Sequence, residues 1–161
     1  MCSQALANFF IEKSQADKIP ITNMKLQKLM FIGYGWVVAL TGNEISGNES
    51  FEAWTHGPVL PSIYHEMKHY GDNPIKLFAT TYDFDDNIVF EPKIKTDQTI
   101  LILNKAWDVY KGFSAWALRE LTHEDGTPWK NAYAQDDRGA RIPTEEVDTY
   151  YTRYIEKLLE Q

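Results

Sequence analysis

Apolar positions along the chain fall first into helical spacing, then into a strand-like stretch, then back into helical spacing. Between Ser3 and about Ala16, Leu6, Phe9, Phe10 and Lys13 stand three or four apart, which predicts a first helix ended by the loop from Asp17 to Pro20. Thr22 or Asn23 suits the N-cap of a second helix, because a short side-chain oxygen can accept a backbone N–H left unpaired in the first turn. Along that helix Leu26, Leu29, Met30, Gly33, Val37 and Leu40 recur at i, i+3, i+4 and i+7, the spacing of a core-facing stripe. Gly42 is placed to close it in the left-handed conformation.

Glu44 to Ser50 is polar and reads as a loop, followed by a short extended segment from Phe51 to Trp54. His56-Gly57-Pro58-Val59 carries turn punctuation, and Pro61 suits the first position of a third helix. That helix runs to about Tyr70, with Val59 or Ile63, Met67 and Tyr70 on one face, and stops at Gly71. Leu77 to Phe84 and Ile88 to Ile94 are rich in Thr, Tyr, Phe, Val and Ile and flank Asp85-Asp86-Asn87, which predicts a β-hairpin with Pro92 at an edge. Thr96 or Asp97 caps a fourth helix carrying Ile100, Leu103, Trp107 and Tyr110, which Gly112 terminates. Ser114 caps a short helix to about Leu121, Pro128-Trp129 opens another, and Asp136 to Ala140 reads as a polar loop. Thr144, followed by Glu145 and Glu146, caps the last helix, whose buried stripe is Val147, Tyr151, Tyr154 or Ile155, and Leu158. The fold class expected is mainly α: a single-domain helical bundle over residues 1–161 with one small β-hairpin at about residues 77–94.

Composition narrows the functions open to such a bundle. The 161 residues hold 43% hydrophobic and 24% charged side chains, the balance of an ordinary globular domain. The formal charge of -7 opposes the footprint of a nucleic-acid binder, whose affinity rests on neutralising phosphates. It serves solubility, or it steers a basic partner toward the surface. With Cys2 alone there is neither an intramolecular disulfide nor a zinc ribbon. The N-terminus lacks a signal-peptide pattern, and the apolar run from Met30 to Leu40, interrupted by Gly33 and Gly35, is too short to span a bilayer. A reducing cytoplasm is the simplest compartment.

Three blocks of sequence carry a family likeness. Ile21-Thr-Asn-Met-Lys-Leu-Gln-Lys-Leu-Met30, continuing through Phe31-Ile-Gly-Tyr-Gly-Trp36, resembles the opening of the Panacea antitoxin domain, the SocA-like group also described as phage-associated GepA-like proteins. Phe51-Glu-Ala-Trp-Thr-His-Gly-Pro-Val59, running on to Pro61, Tyr64 and Tyr70-Gly71, is similar to that family's second signature. Leu121-Thr-His-Glu124 with Pro128-Trp129 and Ala132 is similar to a third block. The blocks keep the family's order and span the chain from about Leu6 to Tyr154. The resemblance implies a place in a toxin–antitoxin pair: family members neutralise a co-encoded protein toxin by binding it, and some present the toxin to a cytoplasmic protease machine as an adaptor. It implies neither enzymatic activity nor a cofactor, and the chain has no spare segment for a fused DNA-binding domain. A phage-associated interaction protein with no toxin partner is an alternative, and the oligomeric state stays open. Lys25, Gln27, Lys28, Trp54, His56, Gly57 and Pro58 are the candidate partner-contact residues, as the most distinctive in the first two blocks, although distinctive residues can equally hold the fold.

Other chemistry has to be weighed beside that reading. His65-Glu66-Met67-Lys68-His69 is formally an H-E-x-x-H, which on a helix sets two imidazoles on one face for zinc with Glu66 polarising a water, the signature of a zinc-dependent hydrolase. The predicted helix is only about ten residues long, and no downstream residue stands out as the third ligand: His123 and Glu124 are candidates, but the third block already explains that stretch. A solvated helix face is the plainer reading. His56 could act as a base, touch a partner, or order its turn by hydrogen bonding to backbone; Trp54 could anchor the core or an interface. Lys25 and Lys28, on the polar side of the second helix with Gln27 between them, either grip an acidic partner or are simply solvated, and solvation is the expectation. Ser3, Ser14 and Ser114 have no base at motif spacing, and Cys2 sits at an end expected to fray. Gly33 and Gly35 fall mid-helix, where they permit close packing and form no phosphate cradle.

Overall fold

The structure, a computed structural model, describes residues 1–133 and 139–160. Its axis is α2 (Asn23–Thr41), which begins where the Thr22 hydroxyl accepts the Lys25 N–H at 3.3 Å and ends at Gly42 with φ 69°. The sequence pattern predicts a one-sided stripe, yet every residue from Lys25 to Val38 is buried. The reason is tertiary. Helices α1 (Ser3–Ala16), α4 (Asp97–Tyr110), α5 (Ala115–His123) and α7 (Thr144–Leu159) all pack on α2 and leave it no solvent face. Leu40, assigned to the stripe, lies beyond that ring and is exposed. The two mid-helix glycines let the neighbours close in. A Cβ added at Gly33 would fall 2.7 Å from Phe10 Cζ and 2.9 Å from Leu103 Cδ2, and one at Gly35 would strike the ring of Tyr151.

The surrounding helices bury the side chains their periodicity marks, with differences at the ends. α4 buries Leu103, Trp107 and Tyr110, and Trp107 also donates its Nε1–H to Asp17 at 2.8 Å. Ser114 caps α5, accepting the Ala117 N–H at 3.0 Å. α7 buries Val147 and Tyr151, while Leu158 is exposed because the helix outruns the core. Its N-cap is Pro143 instead of Thr144; the Thr144 hydroxyl lies 3.2 Å from that of Tyr34 and is used across the core. α3 (Pro61–Met67) starts on Pro61 as expected, then tightens into a 3₁₀ turn, Lys68–Tyr70, closed by Gly71. α6 (Pro128–Tyr133) is a short helix that buries Trp129 and Ala132.

Two small antiparallel sheets complete the fold. β1 (Glu52–Trp54) and β2 (Gly57–Val59) form a hairpin in the register Glu52↔Val59, Ala53↔Pro58, Trp54↔Gly57, and β5 (Ala140–Arg141) adds to the other side of β1. The sequence points to one hairpin only, so this sheet is a correction: Gly57 and Pro58 suppress the strand signal, and Pro58 is tolerated because β2 is an edge strand. β5 also takes Ala140 out of the expected polar loop, of which residues 136–138 lie outside the described residues. The expected hairpin is present as β3 (Thr81–Asp83) and β4 (Ile88–Phe90), shorter than the 77–94 span. Its root is tied to α1 by Asn8, whose Nδ2 donates to the carbonyls of Ala79 at 2.9 Å and Pro92 at 3.0 Å while its Oδ1 accepts the Ala79 N–H at 2.7 Å. The fold is mainly α, with the sheets at its edges.

Candidate functional site

Three elements converge on one open groove of about 610 Å³: the first turns of α2 (Met24, Gln27, Lys28), the β1–β2 hairpin (Trp54, His56, Val59), and α3 with its 3₁₀ extension (Tyr64, Lys68). That volume is in the range of small-molecule and short-segment sites. An amide ladder sets the floor. Gln27 Nε2 donates to Asn23 Oδ1 at 3.1 Å, Asn23 Nδ2 donates to the Tyr64 carbonyl at 3.2 Å, and Gln27 Oε1 accepts the Leu60 N–H at 2.9 Å. The start and the middle of α3 are thereby referenced to one face of α2.

Lys28 lies beneath the hairpin and is 1% exposed. Its ammonium donates to the Pro58 carbonyl at 3.1 Å, and no carboxylate among the described residues forms an ion pair with it. Desolvation, with a smaller push from the Arg119 guanidinium, brings its pKa down to about 7. The Gly-Pro signature makes room for this lysine. Gly57 has φ 109°, which favours glycine, and a Cβ there would stand 2.6 Å from Lys28 Cε and 3.2 Å from Thr122 Oγ1. Lys25 is also buried, but it turns away to the C-terminal end of α4 and donates to the Lys111 carbonyl at 2.7 Å; burial lowers its pKa too. The expectation that Lys25 and Lys28 are solvated is therefore overturned, because β2, α5 and the end of α4 cover the polar side of α2.

The hairpin's other signature residues divide between holding and presenting. Trp54 is half-buried, donates Nε1–H to Glu52 at 2.8 Å, and sets its ring 4.9 Å from that of Tyr64 and 6.1 Å from that of His65. Its carbonyl accepts the Trp129 Nε1–H at 2.9 Å, and Trp129 in turn lies against His123, the ring centroids 3.6 Å apart and the planes tilted by 33°. The third sequence block thus braces the second from behind. His56 is exposed at the turn and makes no side-chain hydrogen bond among the described residues, so strand pairing orders the turn and the imidazole is left to face outward. Met24, Tyr64 and Lys68 line the groove without having been singled out; Tyr64 stands in the second block, and Asn23 and Gln27 show the i, i+4 spacing that could have revealed the ladder.

The H-E-x-x-H stretch is taken apart by the fold. α3 ends at Met67, so His69 sits in the 3₁₀ turn with Nδ1 2.9 Å from the Glu66 carbonyl oxygen, and the Glu66 carboxylate accepts the Thr80 N–H at 2.7 Å. Among the described residues no three His, Cys, Asp or Glu side chains come together in a way that could hold a metal ion. Nor is any helix among them long and apolar enough to cross a membrane.

Fold and site together define a mainly helical protein whose Gly-Pro hairpin is latched over a buried lysine at the edge of an open groove. Residues 26–130, which include both halves of that latch, match the family model described as "Antitoxin SocA-like, Panacea domain". Over 128 residues, 79% of this chain and 68% of the relative, the sequence is 30% identical to Antitoxin SocA of Caulobacter vibrioides (strain NA1000 / CB15N). The chain belongs to the SocA-like Panacea antitoxin family. No solved structure matches it significantly.

Proposed function

We propose that this chain is an antitoxin that neutralises a co-encoded protein toxin in the cytoplasm by binding it directly, as one domain over residues 1–161, with the groove above Lys28 as part of the contact surface. The observation that carries this reading is the coincidence of family and site: most of the groove's lining falls within the matched span of 26–130. The groove presents Trp54, Tyr64, His56 and Lys68 on a framework of internal hydrogen bonds, the arrangement of a preorganised interface with aromatic anchors. Among the described residues no three His, Cys, Asp or Glu side chains stand together at the groove as a metal-dependent hydrolase would need. An adaptor that hands the toxin to a protease would bind the toxin as well and would need a further contact with the protease.

The test is co-expression with the products of neighbouring genes. A toxic neighbour should be rescued by this chain and should co-purify with it, and following the toxin's lifetime separates sequestration from proteolytic delivery. His56→Ala and Lys68→Ala are suitable groove variants, since both side chains are exposed and neither supports the core. Each should lower toxin affinity at least severalfold with circular dichroism unchanged. Because the chain carries -7, a basic toxin should associate faster as salt is lowered, and duplex DNA should not bind at physiological salt. If no neighbouring product is toxic and none binds, the antitoxin role fails and an interaction protein without a toxin takes its place.

A further inference from the structure

Lys28 latches the hairpin through the Pro58 carbonyl, but that one bond does not account for burying a charge beside the groove. A buried side chain needed only to fill space under Gly57 could be methionine, which carries no charge to desolvate. The fold instead buries an ammonium, gives it a single backbone carbonyl at 3.1 Å, and leaves it within electrostatic reach of another cation, Arg119. An ammonium has three donors, and one of them is used by the Pro58 carbonyl while the side chain lines the groove. The titratable and charged groups near Lys28 or lining the groove come from several elements. Arg119 and His123 stand on α5, His56 in the hairpin turn, and Lys68 in the 3₁₀ turn; Asp72 is the acidic side chain lining the groove among the described residues. Glu52 is occupied by the Trp54 indole. The remaining wall, Met24, Val59, Trp54 and Tyr64, is apolar or aromatic.

We infer that this groove is a carboxylate-binding site that takes a short peptide segment of the toxin, its carboxylate paired with Lys28 and an adjacent apolar side chain held against Trp54 and Tyr64. The inference rests on the antitoxin reading for the identity of the partner and deepens it by naming what the partner presents. A single buried ammonium matches a monoanion. A phosphate dianion would call for several converging donors, and the overall charge of -7 disfavours a polyanion. Long-range attraction of a basic toxin is compatible with this local preference, because the net charge acts on approach and the buried lysine acts on contact. Pairing with an anion also offsets the desolvation of Lys28, so binding favours the protonated lysine and takes up a proton when the free lysine is neutral.

The experiment uses the full chain and short Phe-containing peptides in three forms: free C-terminus, C-terminal amide, and amide with a Glu beside the Phe. Binding is followed by amide NMR shifts. At least one carboxylate-bearing form should bind tenfold or more tightly than the neutral amide and shift Trp54, Thr55 and Tyr64; which one does so tells a chain terminus from an acidic side chain. Lys28→Met should reduce that preference to the level of the neutral amide. Independently of any variant, the preference in the wild-type protein should weaken by roughly tenfold per pH unit above pH 7. Equal binding of all three forms, no binding, a preference retained in a folded Lys28→Met or insensitive to pH, or stronger binding of inorganic phosphate or an oligonucleotide would each overturn the inference. Its failure is separable from that of the antitoxin reading. A toxin that still co-purifies with Lys28→Met at unchanged affinity removes the carboxylate site alone, whereas carboxylate selectivity without any toxic neighbour removes the antitoxin role alone.

Discussion

Hairpins β1–β2 and β3–β4 each pair three residues against three in antiparallel register, but one is walled in and the other stands in solvent. In the first, Ala53, Gly57, Pro58 and Val59 are all buried. In the second, Ile88, Val89 and Phe90 are all exposed, and Phe84 at the turn is 87% exposed. Their sequences suggest the reverse. β3–β4 has the β-branched and aromatic residues of a good strand pair, whereas β1–β2 contains a glycine and a proline. What holds β1–β2 is a set of tertiary bonds. Lys28 donates to Pro58 O, Trp129 Nε1–H to Trp54 O at 2.9 Å, Gly139 N–H to Ala53 O at 3.0 Å and Ile142 N–H to Phe51 O at 2.8 Å. β3–β4 has its own ladder plus the Asn8 clamp at its root, and an isolated two-stranded hairpin is marginal in water. Strand propensity reports whether a segment can pair. It does not report whether anything covers the pair, and the candidate site lies on the hairpin whose strength comes from outside itself.

Four substitutions probe that difference, in order of expected effect. Gly57→Ala forces an L side chain into φ 109° against the stem of Lys28, and backbone strain plus overpacking should cost roughly 4 kcal/mol in denaturant unfolding. A loss under about 1 kcal/mol would show that the latch yields easily and that the two hairpins are less different than they look.

Lys28 comes second, through pH. Its folded pKa, about 7, lies below the 10.5 of the unfolded chain, so between those values the unfolded state binds more protons and stability rises with pH. The cost of burying the charge is fully present below pH 7 and is relieved as pH climbs toward 10.5. Between pH 7 and 9.5 the wild-type chain should gain about 3 kcal/mol relative to Lys28→Met, using roughly 1.4 kcal/mol per pH unit. Taking the difference between the two proteins cancels the contributions of Lys25 and of the buried tyrosines. A flat difference would mean that Lys28 is hydrated in solution.

Asn8→Ala is third. It leaves the Ala79 and Pro92 carbonyls and the Ala79 N–H without their partner, at a cost of about 2 kcal/mol. Hydrogen exchange should accelerate in Thr81–Phe90 before it does in Glu52–Val59; equal acceleration in both would refute the idea that the second hairpin depends on its root. Smallest is Phe84→Ser, which removes a solvent-exposed ring and should change stability by less than about 0.5 kcal/mol. A larger loss would show that the exposed hairpin is covered in solution.

Much of this was legible beforehand, for reasons that differ by element. The α2 boundaries follow from local chemistry, a threonine N-cap and a glycine in left-handed conformation, and both were readable. The mid-helix glycines signalled close packing, although only the fold shows that Phe10, Leu103 and Tyr151 occupy the space. Most of the motif residues line the groove, but the surroundings of Lys25, Lys28 and His56 are not written in the local sequence. For a lysine every third or fourth residue on a helix, solvation is the ordinary outcome, and nothing local says that a hairpin thirty residues on will cover it.

The sequence by itself determined what depends on neighbours in the chain: the helix positions and most of their caps, the pairing tendency of residues 81–90, the charge of -7 and the family likeness. Only the tertiary structure decided what depends on neighbours in space. It surrounded α2 instead of leaving it amphipathic, drew Gly57 and Pro58 into a strand, took Glu66 and His69 out of any shared metal geometry, and buried Lys28 without a carboxylate among the described residues. The physical reason is that burial and pKa are set by the summed surroundings of a group. Those surroundings are assembled from segments whose separation along the chain carries no local signal.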